Sequence, residues 1–361
     1  MVQEAKALTE IPLHFKAPDA LEHTDEGIHL DLSAAALFGD QLFVSCDETA
    51  GVDRLTRLAQ PDRYDDHRHF TLAQIFDLPG GEGGEMDIEG LHGDCGSDGD
   101  WLWAVGSHSL KRGNTEGMAQ PAKALKKLGK ISFDQNRQFL GRVPLAQTAD
   151  GLIPVAADGP RKAAALKFTK RGKLREYLAK DPLLAPYLAI PSKDNGFDIE
   201  GVAARGLRVW LGLRGPVLRG NALVLELEME LKKKGRQLKP KKIDGKLRYR
   251  KHFLPLGGEG IRDMVLDGED LLLLVGTPLA GDGRSAIMRW RGAVGCTNSG
   301  VRPISEIELA CALPYRGRTD NPEGLALLQH NQALLIHDSP DAARLSPDQP
   351  AIIGDIWQLA D

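Results

Sequence analysis

Cysteine is scarce in this chain. Cys46, Cys95, Cys296 and Cys311 are spread over 361 residues, and none forms a Cys-x-x-Cys pair. That excludes a disulfide scaffold. Reduced thiols in a cytoplasm are expected, with Cys46 and Cys311 packing as small hydrophobes. Long apolar runs are also missing. No stretch approaches the length needed to span a bilayer, and Met1–Lys6 lacks the apolar core of a secretory leader. A cytoplasmic location with no membrane partner is therefore expected. Nor is there an excess of one charge. Against 46 Lys and Arg stand 50 Asp and Glu, for a net charge of −4. This small value argues against wholesale attraction to nucleic acid or an anionic membrane. Several catalytic signatures are absent too. There is no Gly-x-Ser-x-Gly elbow and no His-Glu-x-x-His. Gly80-Gly-Glu-Gly-Gly84 lacks the Lys-Ser/Thr of a phosphate loop and reads as a flexible connection, with a lid as its functional alternative.

What is present is a repeat. Asp87-Ile-Glu-Gly-Leu91, Asp198-Ile-Glu-Gly-Val202 and Asn321-Pro-Glu-Gly-Leu325 share one pattern. After each come a polar turn and an apolar run: Trp101–Val105, Val209–Leu213 and Ala333–Ile336. Weaker copies run from Leu32-Ser-Ala-Ala-Ala36 into Gln41–Val44, and from Ile261-Arg-Asp-Met264 into Leu271–Val275. Each unit is thus a short strand, a tight Gly/Asp turn and a strand buried on both faces. Further strands follow, such as Ala222–Leu227 with Tyr249–Leu254, Leu128–Phe133 with Phe139–Val143, and Arg54–Leu58 with Phe70–Ile75. Four antiparallel strands repeated in tandem make an all-β β-propeller. The last unit runs one strand short, and Glu10–Phe15 can complete it and close the ring.

The spacing between Glu89 and Glu200 is roughly twice that between the other copies. The segment Arg161–Phe168 through Leu174–Lys180 is rich in helix formers, and Asp181-Pro182 would stop a helix. A single domain over 1–361 is expected. It has five blades and a helical insertion near 160–190, or six blades if 146–195 is a degenerate blade.

These strings, together with Val105-Gly-Ser-His-Ser-Leu110, Asn195–Gly201 and Gly212–Leu218, resemble a bacterial propeller family catalogued as a domain of unknown function. That family is similar to the phytase-like esterase and SdiA-regulated propellers. The resemblance spans Leu32 to Leu359 and implies a propeller fold. The phytase-like relatives imply calcium-dependent phosphoester or ester hydrolysis, but no string here matches a catalytic signature of theirs.

Strand order selects one face. The repeat begins the inner strand, so the ends of the second strands lie beside it around one mouth of the central channel. The equivalent inner positions are Ser33, Glu89, Glu200, Arg262 and Glu323. Three carboxylates and one guanidinium near an axis need compensation. Arg262 can bridge Glu200 and Glu323, and a divalent cation such as calcium can be held by Glu89, Glu200 and Glu323. Repetition favours a structural, blade-locking role. Candidate ligand-binding residues are Glu89, Glu200, Arg214, Arg262, Asp263 and Glu323. Candidate catalytic groups on the rim are His108, His337 and Asp338. His67 and His69 read as a solvated loop, and the basic run Lys232–Lys242 as a solvated hairpin rather than a nucleic-acid surface. A polyanion-binding protein that uses the basic hairpin is the weakest reading, and two others stay open. One is a binding scaffold presenting a polar mouth to a small molecule or protein segment. The other is a divalent-metal-dependent phosphoester or carboxylic ester hydrolase.

Overall fold

A computed structural model describes residues 6–16, 27–279, 281, 283–317 and 319–360. The leader reading falls on Met1–Lys6, of which residues 1–5 lie outside the described residues. The chain is all-β, with few and short helices. Its strands form consecutive antiparallel units. The first holds Leu32–Phe38, Gln41–Cys46, Gly51–Ala59 and Asp62–Thr71. The second holds Ile88–Gly96, Gly99–Gly106, Leu140–Thr148 and Ala164–Leu166. Asp198–Arg205, Arg208–Leu218, Asn221–Lys232 and Arg250–Pro255 form the third. Gly260–Asp267, Asp270–Gly276, Ala286–Trp290 and Ile307–Ala312 form the fourth. Asn321–Leu328, Gln332–Asp338 and Ala351–Gln358 take Thr9–His14 as their fourth strand, with Thr9 opposite Ile356. The N-terminal strand thereby closes the ring, as its position in the sequence suggested.

The first strands stand side by side around an axis, the last against the first. Apolar side chains from successive units fill the wedges between them. Phe43 and Leu91 meet between units one and two, and Trp103 and Leu211 between two and three. Trp210 and Met264 follow, then Leu272 and Leu335, and Leu334 with Val44 completes the circle. Each such buried side chain contributes about 1.5–3 kcal/mol. The Glu-Gly repeat has a steric cause. A Cβ on Gly90 would come within 2.8 Å of the Val202 amide nitrogen, and one on Gly201 within 3.1 Å of that of Met264. Glycine lets neighbouring first strands approach closely at the axis.

Several expectations need correction. Leu128–Phe133 is not the third strand of unit two. Pro121–Leu128 is an α-helix, and only Ile131–Ser132 is extended. Pro121 at the helix start and the Ala/Lys/Leu run favour helix there. Arg161–Phe168 is not helical either, since Ala164–Leu166 is the fourth strand of unit two. The helical excursion is confined to Lys173–Leu178 and the 3-10 turn Ala185–Ala189. The basic run is only partly free. Its Gln237–Pro240 strand pairs parallel with Ala164–Leu166 and covers the outer edge of unit two. His67 lies within Asp62–Thr71 and is buried. Its Nε2–H and the Nδ1–H of His69 both donate to Asp53, at 2.7 and 2.9 Å. The Gly80–Gly84 loop is pinned rather than free. Gly80 donates to the Asn136 side chain, whose amide donates to the Gly81 and Gly84 carbonyls. No helix among the described residues is long and apolar enough to cross a membrane.

Candidate functional site

The same irregularity recurs in all five first strands. The pairing register shifts between Leu32 and Ala34, Ile88 and Gly90, Ile199 and Gly201, Ile261 and Asp263, and Pro322 and Gly324. The residue skipped each time is Ser33, Glu89, Glu200, Arg262 or Glu323. A bulge leaves its extra residue unpaired and re-aims the side chain. The ring inferred from the repeat is thus made of five bulged positions. Beyond it, on the opposite face, the channel widens into a cavity of about 470 Å³ walled by all five first strands, among them Ala35, Leu91, Ala204, Val265 and Leu325.

One half of the ring is neutralised. The Arg262 Nε lies 3.1 Å from Glu200, and its Nη2 pairs with Glu323. Arg214, at the end of a second strand, donates to Glu200 at 2.8 Å and stands 4.0 Å from Asp198. These carboxylates are buried, so the arginine forks offset a large desolvation cost. Ser33 takes no part in the charge network. Its hydroxyl and that of Ser45 donate to the Ile88 carbonyl.

The other half carries surplus acid. Glu89 is partly exposed at the channel, and among the described residues its carboxylate has no hydrogen bond or ion pair. Burial, and then the nearby Asp87, Glu200, Asp47 and Asp198, hold its pKa well above the usual carboxylate range. Asp47 is pushed up to about 7 by burial and by Asp87, Asp338, Asp31 and Glu85. Its Oδ1 is buried without a partner. Asp87 rises to about 6 through burial, against the pull of Arg137, which lies 2.9 Å away and also pairs with Glu85. Burial and Glu200 raise Asp198 well above its ordinary value. Asp338 is raised mainly by burial, and accepts from Ser339 at 3.1 Å. Backbone strain gathers here as well. Asp87, His108, Asn195, Asp320 and Ser339 all have positive φ, a feature concentrated at functional sites.

Other candidates fall elsewhere. Asp263 is fully buried and accepts from the Met264 and Leu325 amides, each at 2.7 Å, which joins units four and five. It clamps backbone and does not face the channel. The backbone of His108 is at the mouth, but its ring turns into unit two, where Nε2 lies 3.1 Å from the Phe139 carbonyl. Burial, reinforced by Arg175, drops it to about 3. His337 is buried beside Asp355 at 3.6 Å and falls to about 4, chiefly through burial. Arg344, paired with Asp355 and Asp320, adds to that fall. Neither imidazole stands over the ring. The metal set is not assembled: Glu200 and Glu323 share Arg262, and no three His, Cys, Asp or Glu among the described residues are placed to hold an ion. The calcium implied by the phytase-like resemblance does not fit these side chains.

The excursion before unit three frames the mouth. Arg175 donates to the His108 carbonyl at 2.7 Å, Ser192 to that of Leu110 at 3.0 Å, and Asp194 bridges to Leu279 in unit four. Sequence reasoning did not single out Asp87, Asp198 or Arg137. The first two were visible, two places before the glutamate in Asp-Ile-Glu-Gly. Arg137 lies in the buried turn Asn136–Gln138 and carried no sequence signal.

A family model described as protein of unknown function (DUF3616) matches residues 31–355. The chain belongs to that family. No curated protein sequence matches this DUF3616 chain. Solved structures similar to it include a Myxococcus xanthus glutaminyl cyclase, at 7% identity and TM-score 0.40, covering 99% of this chain and 97% of the other. An α-L-arabinofuranosidase from Podospora anserina has 11% identity and TM-score 0.40, covering 98% and 97%. A gluconolactonase from Xanthomonas campestris has 10% identity and TM-score 0.36, covering 99% of each chain. At that distance none of these activities transfers, and the fold rests on the strand pairing above.

Proposed function

We propose that this DUF3616 protein is a five-bladed propeller scaffold whose acidic mouth binds a small molecule or protein segment through a cationic group. The observation that carries this reading is Glu89, half-buried at the channel, unpaired among the described residues, and raised in pKa by burial and then by surrounding carboxylates. A ligand ammonium or guanidinium there would gain the attraction of Glu89, Asp47 and Asp87 together. The five units with five apolar wedges support five blades rather than six. Four free cysteines support a cytoplasmic location.

The hydrolase reading has less support. It needs a base over the ring, and both rim histidines are buried and turned away. It also needs a metal, and Arg262 already lies between Glu200 and Glu323.

Thermal melts with spermidine as the cationic probe test the proposal. At about a hundred times its dissociation constant the probe should stabilise by roughly 2.7 kcal/mol. The gain should vanish in Glu89→Gln and persist in His337→Gln. Calcium should leave the melt unchanged. A spermidine shift retained in Glu89→Gln would refute the mouth as the site. A calcium shift lost in Glu200→Gln would restore the metal reading.

A further inference from the structure

The small net charge hides a strong local one. From residue 117 to 132 the chain carries Lys123, Lys126, Lys127 and Lys130 and no acidic residue. This segment is a hairpin rising from the mouth after Leu110. Lys111–Arg112 pairs with Ile131–Ser132, and the helix Pro121–Leu128 lies between them. At about 100° per residue, Pro121, Ala124, Leu125 and Leu128 fall on one side of the helix. Lys123, Lys126 and Lys127 fall on the other.

The apolar side is left largely in solvent. No residue of the helix is buried, and Leu125, Leu128 and Ile131 are 72%, 44% and 47% exposed. An amphipathic surface helix ordinarily turns its apolar stripe to the core. The hairpin is also firmly held. Arg112 donates to the Leu128 carbonyl at 2.8 Å and pairs with Asp194 at 2.7 Å, while Lys111 meets Glu85 at 3.2 Å. A Cβ on Gly113 would stand 2.3 Å from the Lys127 carbonyl oxygen, so the two arms touch. The apolar face is fixed outward.

The geometry points to peripheral contact with an anionic phospholipid bilayer, with Leu125, Leu128 and Ile131 entering the headgroup boundary and the four lysines meeting anionic headgroups. Lysine stems lie along apolar surface while their ammonium groups reach for charge, and a basic amphipathic helix lying in the interface plane uses that arrangement. A protein partner is less well matched. Lysine is depleted in protein interface cores, the hairpin offers no aromatic side chain, and its Arg112 is already engaged by Asp194 and the Leu128 carbonyl. A nucleic acid would leave the leucine face in water. This departs from the expectation of no membrane partner, which rested on net charge and on the lack of a spanning segment. The contact needs neither. It is independent of what the mouth binds.

Co-sedimentation of the full chain with vesicles tests it. Binding is expected to vesicles of phosphatidylcholine and phosphatidylserine, not to phosphatidylcholine alone, and should fall severalfold as salt shortens the reach of the charges. Lys126→Glu with Lys127→Glu should abolish it, and Leu125→Ser should weaken it at equal charge. None of these side chains is buried, so the melts should stay unchanged and report an intact fold. Failure of the wild-type chain to sediment with phosphatidylserine vesicles at low salt would overturn the proposal. So would equal binding by the double variant. Association with poly-glutamate, lost in the double variant, without vesicle binding would reassign the face to an acidic protein and overturn it too.

Discussion

The two halves of the ring occupy equivalent places in the fold and behave oppositely. Glu200 and Glu323 each find a guanidinium, from Arg262 or Arg214. Around Glu89 the strongest electrostatic influences are acidic, and the arginines that feel it are taken up elsewhere, Arg137 by Glu85 and Asp87, Arg214 by Glu200, and Arg262 by Glu200 and Glu323. The motif Asp-Ile-Glu-Gly is identical at 87–90 and 198–201, so the motif does not decide the outcome. What decides it is the neighbour supplied by the next unit. Unit four replaces glutamate with arginine, and that exchange, together with Arg214 of unit three, locks one side of the channel. The other side is left with charge that a ligand can satisfy. A repeated structural device becomes a binding site where the repeat fails to complete it.

The sharpest way to break this contrast is to remove Arg262. Arg262→Ala strands Glu323 in a buried setting, leaves Glu200 with Arg214 alone, and should cost about 3–5 kcal/mol in denaturant unfolding. An unchanged midpoint would show that the locked half is not locked. Asp263→Ala comes next. It leaves the Met264 and Leu325 amides without their acceptor, at a cost of about 1–3 kcal/mol for a buried unsatisfied donor. Asp263→Asn, which keeps a carbonyl oxygen, should recover part of this.

Asp47 sharpens the comparison through pH. Its folded pKa of about 7 lies above its unfolded value, so the folded state binds the extra proton. Stability should therefore decline as pH rises from the unfolded pKa through about 7, and level off above it. Asp47→Asn should remove that slope and be more stable than wild type at pH 8, by on the order of 1 kcal/mol given partial exposure. The two proteins should converge near pH 4. A slope retained in the variant would assign it to another carboxylate. The smallest loss of stability is expected at Glu89. Glu89→Gln should not lower stability, because no partner is lost, and at pH 8 it should raise it in the same direction as Asp47→Asn, since burial and neighbouring acids hold the folded pKa of Glu89 above its ordinary value. A drop comparable to that of Arg262→Ala would mean Glu89 is as structurally engaged as Glu200.

Much of this was legible in the chain. The repeat marked the inner strands, and the ring positions Ser33, Glu89, Glu200, Arg262 and Glu323 could be aligned by spacing. The Arg262 bridge to both glutamates followed from charge alone, as did completion of the last unit by the N-terminal strand. Residues whose role depends on side-chain direction were misjudged. His108 and His337 end the expected strands, yet strand position does not say which way a ring turns. In His108 a positive φ accompanies a ring turned inward. Asp263 was among the candidate ligand residues, whereas its carboxylate accepts from the Leu325 amide. The stretch near 128–133 was misread because Lys-rich and apolar residues alternate there as readily in a short helix as in a strand.

Local chemistry therefore determined the units, their order and the acidic character of the axis, since periodicity and turn residues act over a few positions. Only the tertiary structure decided which carboxylates are paired, which histidines face the mouth and which helix is left bare. Those outcomes depend on contacts between units far apart in sequence, such as Arg262 with Glu200 and Glu323, and on burial, which sets the cost of leaving a charge alone.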